Sequence, residues 1–364
     1  MDSSDCFEHF GYQDFDASCI QLQYPAICPI AGCSTSLIGV QDGRGERPFC
    51  PAHGIRLHSN TFVYWNGANR KSEARLRNFR IRPDLARSIA LGSVEKAESH
   101  RLGYEMSEDA LSWNVFVSLA EAGKLRQTAL FLTAREVRAE PELYLWGELV
   151  DVTGAKRSRF GPLDTVRARL EHDVRKFKTE PDVMLVVEGQ LVICIEAKFS
   201  SGNPLAYEGA VDAGQKPSDR AGLLYRYFDR SGTETQRSID RDGMVGALHS
   251  QLFRNVAFAS EMANGREWHV VNLVSATQWR FRKDSGRYSF TDPESAVQSY
   301  LRQDHKQSFT FRTWEGLHKS VIHGVPELAK LDAYLLSKSA RYRPAFELNN
   351  EFPITTAAED RYNP

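Results

Sequence analysis

The sequence contains no apolar run long enough to cross a bilayer, and its first residues lack the basic and apolar regions of a signal peptide. It also lacks an excess of either charge: 46 Lys and Arg residues stand against 47 Asp and Glu residues, a formal net charge of −1. Its overall charge therefore gives no affinity for polyanions, and any surface that binds one must be local. We expect a cytoplasmic protein that has no membrane partner.

Cysteine is scarce, with six in 364 residues, and three of the six lie close together beside a histidine. Cys28, Cys33, Cys50 and His53 follow the spacing C-x4-C, sixteen residues, C-x2-H. Two turns that each offer a pair of soft or borderline ligands are typical of a tetrahedral structural Zn²⁺ site, whose four protein ligands leave no open position. His58 is a reserve ligand, and the alternative is three buried cysteines with a surface histidine. Cys6 and Cys19, in the acidic lead-in, are interpreted as plain thiols.

Residues 181–199 have the pattern of two buried strands joined by a tight turn. Residues 183–187 and 191–195 are apolar and rich in β-branched side chains, as in central strands covered on both faces. Gly189 lies in the connecting turn, where it is free to adopt positive φ. The stretch therefore predicts a hairpin at the centre of a sheet.

Three charged residues lie at the open end of this predicted hairpin. Glu196 and Lys198 are two positions apart and so share one face of their strand. Asp182 joins that face if it pairs with Glu196, because the two position numbers sum to an even value, 182 + 196 = 378. That register requires a three-residue loop or a bulge. Two carboxylates at the rim of a buried hairpin require a counter-ion, and a hard divalent cation such as Mg²⁺ fits.

The segment Pro181-Asp182, thirteen residues, Glu196-Ala197-Lys198 resembles the PD-(D/E)XK signature of restriction-endonuclease-like nucleases. The resemblance implies that Asp182, Glu196 and the main-chain carbonyl of Ala197 hold Mg²⁺ or Mn²⁺. Lys198 would position or help to deprotonate the attacking water and stabilise charge on the scissile phosphate. The alternative is a surface hairpin end with an ordinary Glu-Lys pair.

Two helices are predicted to flank the hairpin. Residues 107–122 have helical spacing with Ser107 as N-cap, and residues 243–264 form a second helix. By resemblance to the superfamily, Glu108 is the choice for a further metal-binding carboxylate and Asp109 the reserve. Gln251, with Arg254 one turn away, is the second helix's candidate for contact with the metal site or a phosphate. Acids that only favour a helix N-terminus, and solvated polar residues, are the respective alternatives.

Two basic segments are candidates for phosphate contact, at residues 67–105 and 156–178. The first contains Arg70, Lys71, Arg75, Arg77, Arg80, Arg82 and Arg87. The second leads directly into Pro181, close to the predicted metal. A solvated helix face explains the first segment equally well.

The sequence as a whole predicts an α/β protein with a restriction-endonuclease-like αβββαβ core. We expect a lead-in and zinc-ribbon-like module at residues 1–66 and a basic linker at 67–105. The nuclease core follows at 106–280, and a mixed, mainly helical extension at 281–364 packs on it.

The resemblance implies a Mg²⁺-dependent endonuclease that hydrolyses DNA, double-stranded by expectation, of the bacterial restriction or anti-phage type. One alternative is a non-catalytic nucleic-acid-binding or sensing protein on a nuclease fold. Another is a repair or transposon-end nuclease subunit that is active only in a complex. A homodimer or a defence-complex partner is compatible with each.

Overall fold

The computed structural model describes most of the chain from residue 100 onward and separate parts of the N-terminal region. The described residues are 28, 33–41, 45–57, 62–64, 78–79, 100–151, 158–174, 178–199, 203, 205–207, 219–244, 247–276, 293–340, 343–344, 346 and 348. The basic linker and the acidic lead-in fall almost entirely outside them, as does His58.

A six-stranded mixed sheet forms the centre of the molecule, in the order β12-β11-β8-β7-β5-β6. Strand β5 pairs antiparallel with β6 and with β7, and β7 pairs antiparallel with β8. Strand β11 runs parallel to both β8 and β12. The strands are β5 (Glu142–Leu145), β6 (Glu148–Leu149), β7 (Val183–Val187), β8 (Leu191–Ala197), β11 (Glu267–Val274) and β12 (Phe309–Thr313).

Three smaller sheets accompany the central one. An antiparallel four-stranded sheet near the N-terminus is built from β1 (Ile38–Gln41), β2 (Glu46–Cys50), β3 (Ile55–Leu57) and β4 (Phe62–Tyr64). The two-stranded sheets are β9 (Leu205–Tyr207) with β10 (Ala247–His249), and β13 (Ser339–Ala340) with β14 (Arg343–Pro344).

Helices cover both faces of the central sheet. They are α1 (Glu108–Glu121), α2 (Leu125–Thr133), α3 (Gly161–Leu170), α4 (Asp219–Arg230), α5 (Thr233–Ser238), α6 (Ser250–Ala263), α7 (Pro293–Tyr300), α8 (Trp314–Leu317) and α9 (Ala329–Ser337). No helix in the described part of the chain combines the length and apolar character that crossing a bilayer requires.

The alternation of side chains in β7 and β8 divides the core in two. Odd-numbered residues such as Leu185 and Ile193 pack with α1, α2 and α9, and even-numbered residues such as Met184 and Cys194 pack with α3 and α6. Every residue of both strands is buried. The predicted central hairpin, apolar on both faces, is therefore confirmed.

The predicted helix at residues 107–122 is confirmed as α1, and the Ser107 hydroxyl accepts a hydrogen bond from the N–H of Ala110. The second helix begins later than predicted, because residues 247–249 form β10 against β9 before α6 starts at Ser250. In addition, β12 lies within the predicted C-terminal extension and forms an edge of the central sheet. The sheet thus continues beyond residue 280.

The N-terminal sheet is attached to the larger unit through β4. The carbonyl of Phe62 accepts a hydrogen bond of 3.1 Å from the N–H of Glu105. The Glu105 carboxylate forms a fully buried ion pair of 3.2 Å with Lys338, whose ammonium lies 5.7 Å from the centre of the Phe199 ring. Removing either charge would leave the other uncompensated in the interior, so this pair fixes Glu105, whose N–H bonds to β4, to the end of α9.

Candidate functional site

The β7–β8 hairpin brings Asp182 opposite Glu196. Val183 pairs with Ile195, so the next pair of positions towards the open end is 182 and 196. The connection is a three-residue loop in which Gly189 has φ of 67°. The predicted register and loop length are confirmed, and both carboxylates therefore lie on the α6 side of the sheet.

Glu196 is held by hydrogen bonds to both of its carboxylate oxygens. Its Oε1 accepts from Nζ of Lys198 at 2.5 Å, and its Oε2 accepts from Nδ2 of Asn255, on α6, at 2.8 Å. Glu196 is 3% exposed, Lys198 6% and Asn255 2%. A buried carboxylate with both oxygens bonded has a fixed orientation, which is what a metal ligand requires.

The ammonium of Lys198 lies among several carboxylates. Burial alone would lower its pKa, but attraction to Glu196, Glu108 and Asp182 outweighs burial and raises the pKa above its ordinary value. Three acids from three different parts of the chain therefore act on one cation. The sequence pattern predicts the meeting of Asp182, Glu196 and Lys198, and Glu108 is the further acid that the resemblance implies.

The main chain around Lys198 is fixed on each side by hydrogen bonds. Its N–H donates to the carbonyl of Leu273 on β11 at 2.7 Å, and its carbonyl accepts from the indole Nε1 of Trp314 at 3.0 Å. The next N–H, of Phe199, donates to Oε1 of Glu108 at 2.9 Å. Of the two acids in the first turn of α1, Glu108 is thus the one shown to reach this end of β8.

Asp182 is partly exposed and lies immediately before β7. Its Oδ2 accepts a hydrogen bond of 3.0 Å from the N–H of Ala197, the last residue of β8. This bond ties the two strands together at the open end of the hairpin and orients the Asp182 carboxylate beside Glu196.

Gln251 lies on α6 one turn before Asn255 and is half-buried. The two are four residues apart and so share a helix face, but the hydrogen bond to Glu196 comes from Asn255. Sequence reasoning missed Asn255, although its i+4 relation to Gln251 was a usable signal.

Asn272 is a second polar residue that the sequence prediction missed. It pairs in register with Glu196 across the parallel strands β8 and β11, and its Oδ1 accepts from Nδ2 of Asn203 at 3.1 Å. Its signal was a single asparagine in the second half of β11, where the neighbouring residues Val270, Val271, Leu273 and Val274 are all apolar. Asn272 therefore extends the cluster of polar side chains from the hairpin to the neighbouring strand β11.

The carboxylate oxygens at the open end of the hairpin are the type of ligand that Mg²⁺ prefers. Mg²⁺ is usually bound by one or two carboxylates, and waters and substrate phosphates occupy its other coordination positions. In the described part of the chain, the carboxylate oxygens of Asp182, Glu196 and Glu108 do not all lie within 4.8 Å of one another. The arrangement therefore fits a site of one or two carboxylates better than a cage of three.

The arginines of the second basic segment that the structure describes are engaged in ion pairs within the chain. This limits their availability for a phosphate, because each pair would have to break first. The pairs are Arg159 with Glu148 and Asp164, Arg167 with Asp164 and Glu180, and Arg169 with Glu261. Lys156, Arg157, Arg175 and Lys176 lie outside the described residues.

The four predicted zinc ligands come together at the N-terminal sheet, with their ligand atoms within 4.8 Å of one another. The Sγ atoms of Cys33 and Cys50 are 3.8 Å apart, and Nδ1 of His53 is 3.5 Å from Sγ of both Cys28 and Cys50. A tetrahedron with ordinary Zn–S and Zn–N distances has S···S edges of about 3.8 Å and S···N edges of about 3.6 Å. The spacing fits a Cys₃His zinc site, and the sulfurs are too far apart for a disulfide.

The electrostatics of Cys33 also suit a metal ligand. Burial raises the pKa of its thiol, but hydrogen bonds from Thr35, Cys50 and Cys28 together lower the pKa below its ordinary value. The thiolate is the form that binds Zn²⁺.

No protein-family model, curated protein or solved structure matches this chain.

Proposed function

We propose that the protein is a Mg²⁺-dependent endonuclease that hydrolyses phosphodiester bonds of double-stranded DNA. The observation that carries the proposal is the meeting of Asp182, Glu196 and Lys198 at one end of the β7–β8 hairpin, with Glu108 beside them. The order of α1, β5, β7, β8, α6 and β11 supports it, because it follows the αβββαβ order of the nuclease superfamily that the motif resembles.

Asp182 and Glu196 would hold the cation, with the carbonyl of Ala197 as the third protein ligand that the resemblance implies. When bound, Mg²⁺ would polarise a phosphoryl oxygen and lower the pKa of the attacking water. Asn255 keeps the Glu196 carboxylate in one orientation, and the N–H of Ala197 does the same for Asp182.

Lys198 would donate from its ammonium to the scissile phosphate and the attacking water, and so stabilise the negative charge that develops there. Hydrogen bonds to Leu273 and Trp314 hold its main chain, so the side chain starts from a fixed point. Pre-organised donors of this kind act without reorganisation during the reaction.

The proposal is tested with purified protein and Mg²⁺ on linear and supercoiled DNA. Asp182→Asn, Glu196→Gln and Lys198→Met should each lower the cleavage rate at least about 100-fold. Glu188→Gln is the matched control, because Glu188 is exposed in the loop at the other end of the same hairpin. Wild-type protein that cuts neither substrate, or site variants that cut as fast as Glu188→Gln, would overturn the proposal.

A non-catalytic DNA-binding protein is the second candidate. It is favoured over a catalytic protein by the closed Lys198–Glu196 ion pair, which engages the ammonium that cleavage would require. DNA binding that is independent of Mg²⁺ and unchanged in Glu196→Gln, without cleavage, would support this function instead.

A further inference from the structure

We propose that His318, His323 and Asp332 form a second transition-metal site, separate from both the hairpin end and the Cys₃His cluster. Their ligand atoms all lie within 4.8 Å of one another. One carboxylate oxygen of Asp332 forms a hydrogen bond of 2.5 Å with Nε2 of His318, which a bound metal would replace, and the other oxygen is 3.4 Å from Nδ1 of His323. Two imidazoles and a carboxylate thus converge from two different segments of the chain.

A π-helical turn is what brings the two histidines together. The turn covers His318–Ile322, and the N–H of His323 donates to the carbonyl of His318 at 2.8 Å, an i to i+5 bond. In an α-helix, side chains five residues apart point about 140° away from each other. In the π-turn their ring centres are only 5.3 Å apart. Single π-turns of this type occur frequently at functional sites.

The ligand types indicate the class of metal. Imidazole nitrogens with one carboxylate suit Zn²⁺ and its neighbours Co²⁺, Ni²⁺ and Cu²⁺, whereas Mg²⁺ prefers oxygen ligands alone. The side chain of His318 is 5% exposed, that of Asp332 22% and that of His323 68%. Three protein ligands, of which His323 is exposed, leave a coordination position open to water or to an exogenous ligand, unlike the closed Cys₃His cluster.

A metal here would fasten α9, which carries Asp332, to the segment that begins at Trp314. That segment reaches the proposed active site: Trp314 donates to the carbonyl of Lys198, and Glu315 accepts from the N–H of Ala276 just after β11. Binding at the His318–His323–Asp332 cluster should therefore stabilise the packing behind Lys198.

The test measures Zn²⁺ bound per chain after equilibration with limiting free Zn²⁺ and excess Mg²⁺, so that Mg²⁺ occupies oxygen-only sites. We expect His323→Gln to bind one equivalent less than wild type, and to lose the rise in melting temperature that Zn²⁺ gives wild type. His172 is exposed and belongs to neither cluster, so His172→Gln is the control and should match wild type.

Co²⁺ distinguishes the two clusters, since only thiolate ligands give sulfur-to-cobalt charge-transfer absorption. His323→Gln should keep that absorption in full while losing the weaker bands of one nitrogen- and oxygen-bound Co²⁺. Because His323 is exposed, this substitution does not disturb the core. Equal metal content in His323→Gln and wild type, or wild type with thiolate-bound metal alone, would overturn the proposal.

Discussion

Asp182 lies directly opposite Glu196 across the β7–β8 hairpin, one position beyond the pair Val183–Ile195. A shift of one residue in this register would turn one carboxylate to the α1 side of the sheet and leave the other on the α6 side. The loop between the strands therefore decides whether the two acids can act together.

Gly189→Ala should destabilise the protein by about 1–2 kcal/mol, because the left-handed backbone conformation is less favourable by that amount for a residue with a Cβ atom. Gly189 has φ of 67°, and a Cβ there would meet no atom within 4 Å, so the cost comes from the backbone alone. Urea unfolding measures it. Gly189→Asn is the matched comparison and should cost less, since Asn tolerates this conformation. An Ala variant as stable as wild type would contradict the loop geometry.

Asn255→Leu should lower cleavage and raise the Mg²⁺ concentration for half-maximal activity, because Oε2 of Glu196 loses its donor and is no longer oriented. Leaving that buried acceptor unbonded should also cost about 1–3 kcal/mol of stability. Asn255→Asp should affect cleavage more strongly at neutral pH, since it places a second carboxylate against the first.

Gln251→Leu is the matched comparison for Asn255, one turn earlier on the same face of α6. We expect a smaller shift in Mg²⁺ dependence and no comparable loss of stability. If Gln251→Leu abolished cleavage and Asn255→Leu left it intact, the sequence-based choice of Gln251 would be right and the role given to Asn255 wrong.

Those parts of the site that depend on local spacing were predictable. The register of Asp182 and Glu196 follows from strand parity and one glycine, and Ser107 places Glu108 in the first turn of α1. The four zinc-ligand positions follow from two turns whose spacing leaves few other arrangements.

The parts that depend on long-range packing were not predictable. Asn255 and Trp314 meet Glu196 and Lys198 only because α6 and α8 dock at the end of β8, 59 and 116 residues away in sequence. The start of α6 at Ser250 was missed for a related reason: pairing of β10 with β9 overrides the helical spacing before it. No spacing of residues in the sequence predicts the π-turn at His318–Ile322.

Cys50→Ser should remove one of the four predicted zinc ligands and so unfold the N-terminal sheet, whose buried apolar cluster is very small. Limited proteolysis should then cut between residues 28 and 64 while the central sheet stays intact. The double variant Cys6→Ser with Cys19→Ser is the control and should keep the thiolate-bound metal. Resistance to proteolysis in Cys50→Ser would show that the sheet does not need the metal.

His269 should make the protein less stable as the pH is lowered from about 6.5 to about 3. Burial first, with Arg135 and Arg312, lowers its pKa from 6.5 to about 3. The Thr310 hydroxyl donates to the carbonyl of Leu132, so Nε2 of His269 must donate to Thr310, and protonation would charge Nδ1 in the core.

In that window the unfolded chain binds a proton that the folded chain excludes, so acidification favours unfolding. From pH 7 to pH 4.5 this amounts to about 2.5 kcal/mol of unfolding free energy. His269→Gln keeps a donor for Thr310 without titrating, and should lose correspondingly less stability over that range in urea unfolding. The exposed-site variant His172→Gln should follow wild type. Parallel pH profiles for His269→Gln and wild type would mean that His269 binds its proton as readily in the folded protein as in the unfolded chain.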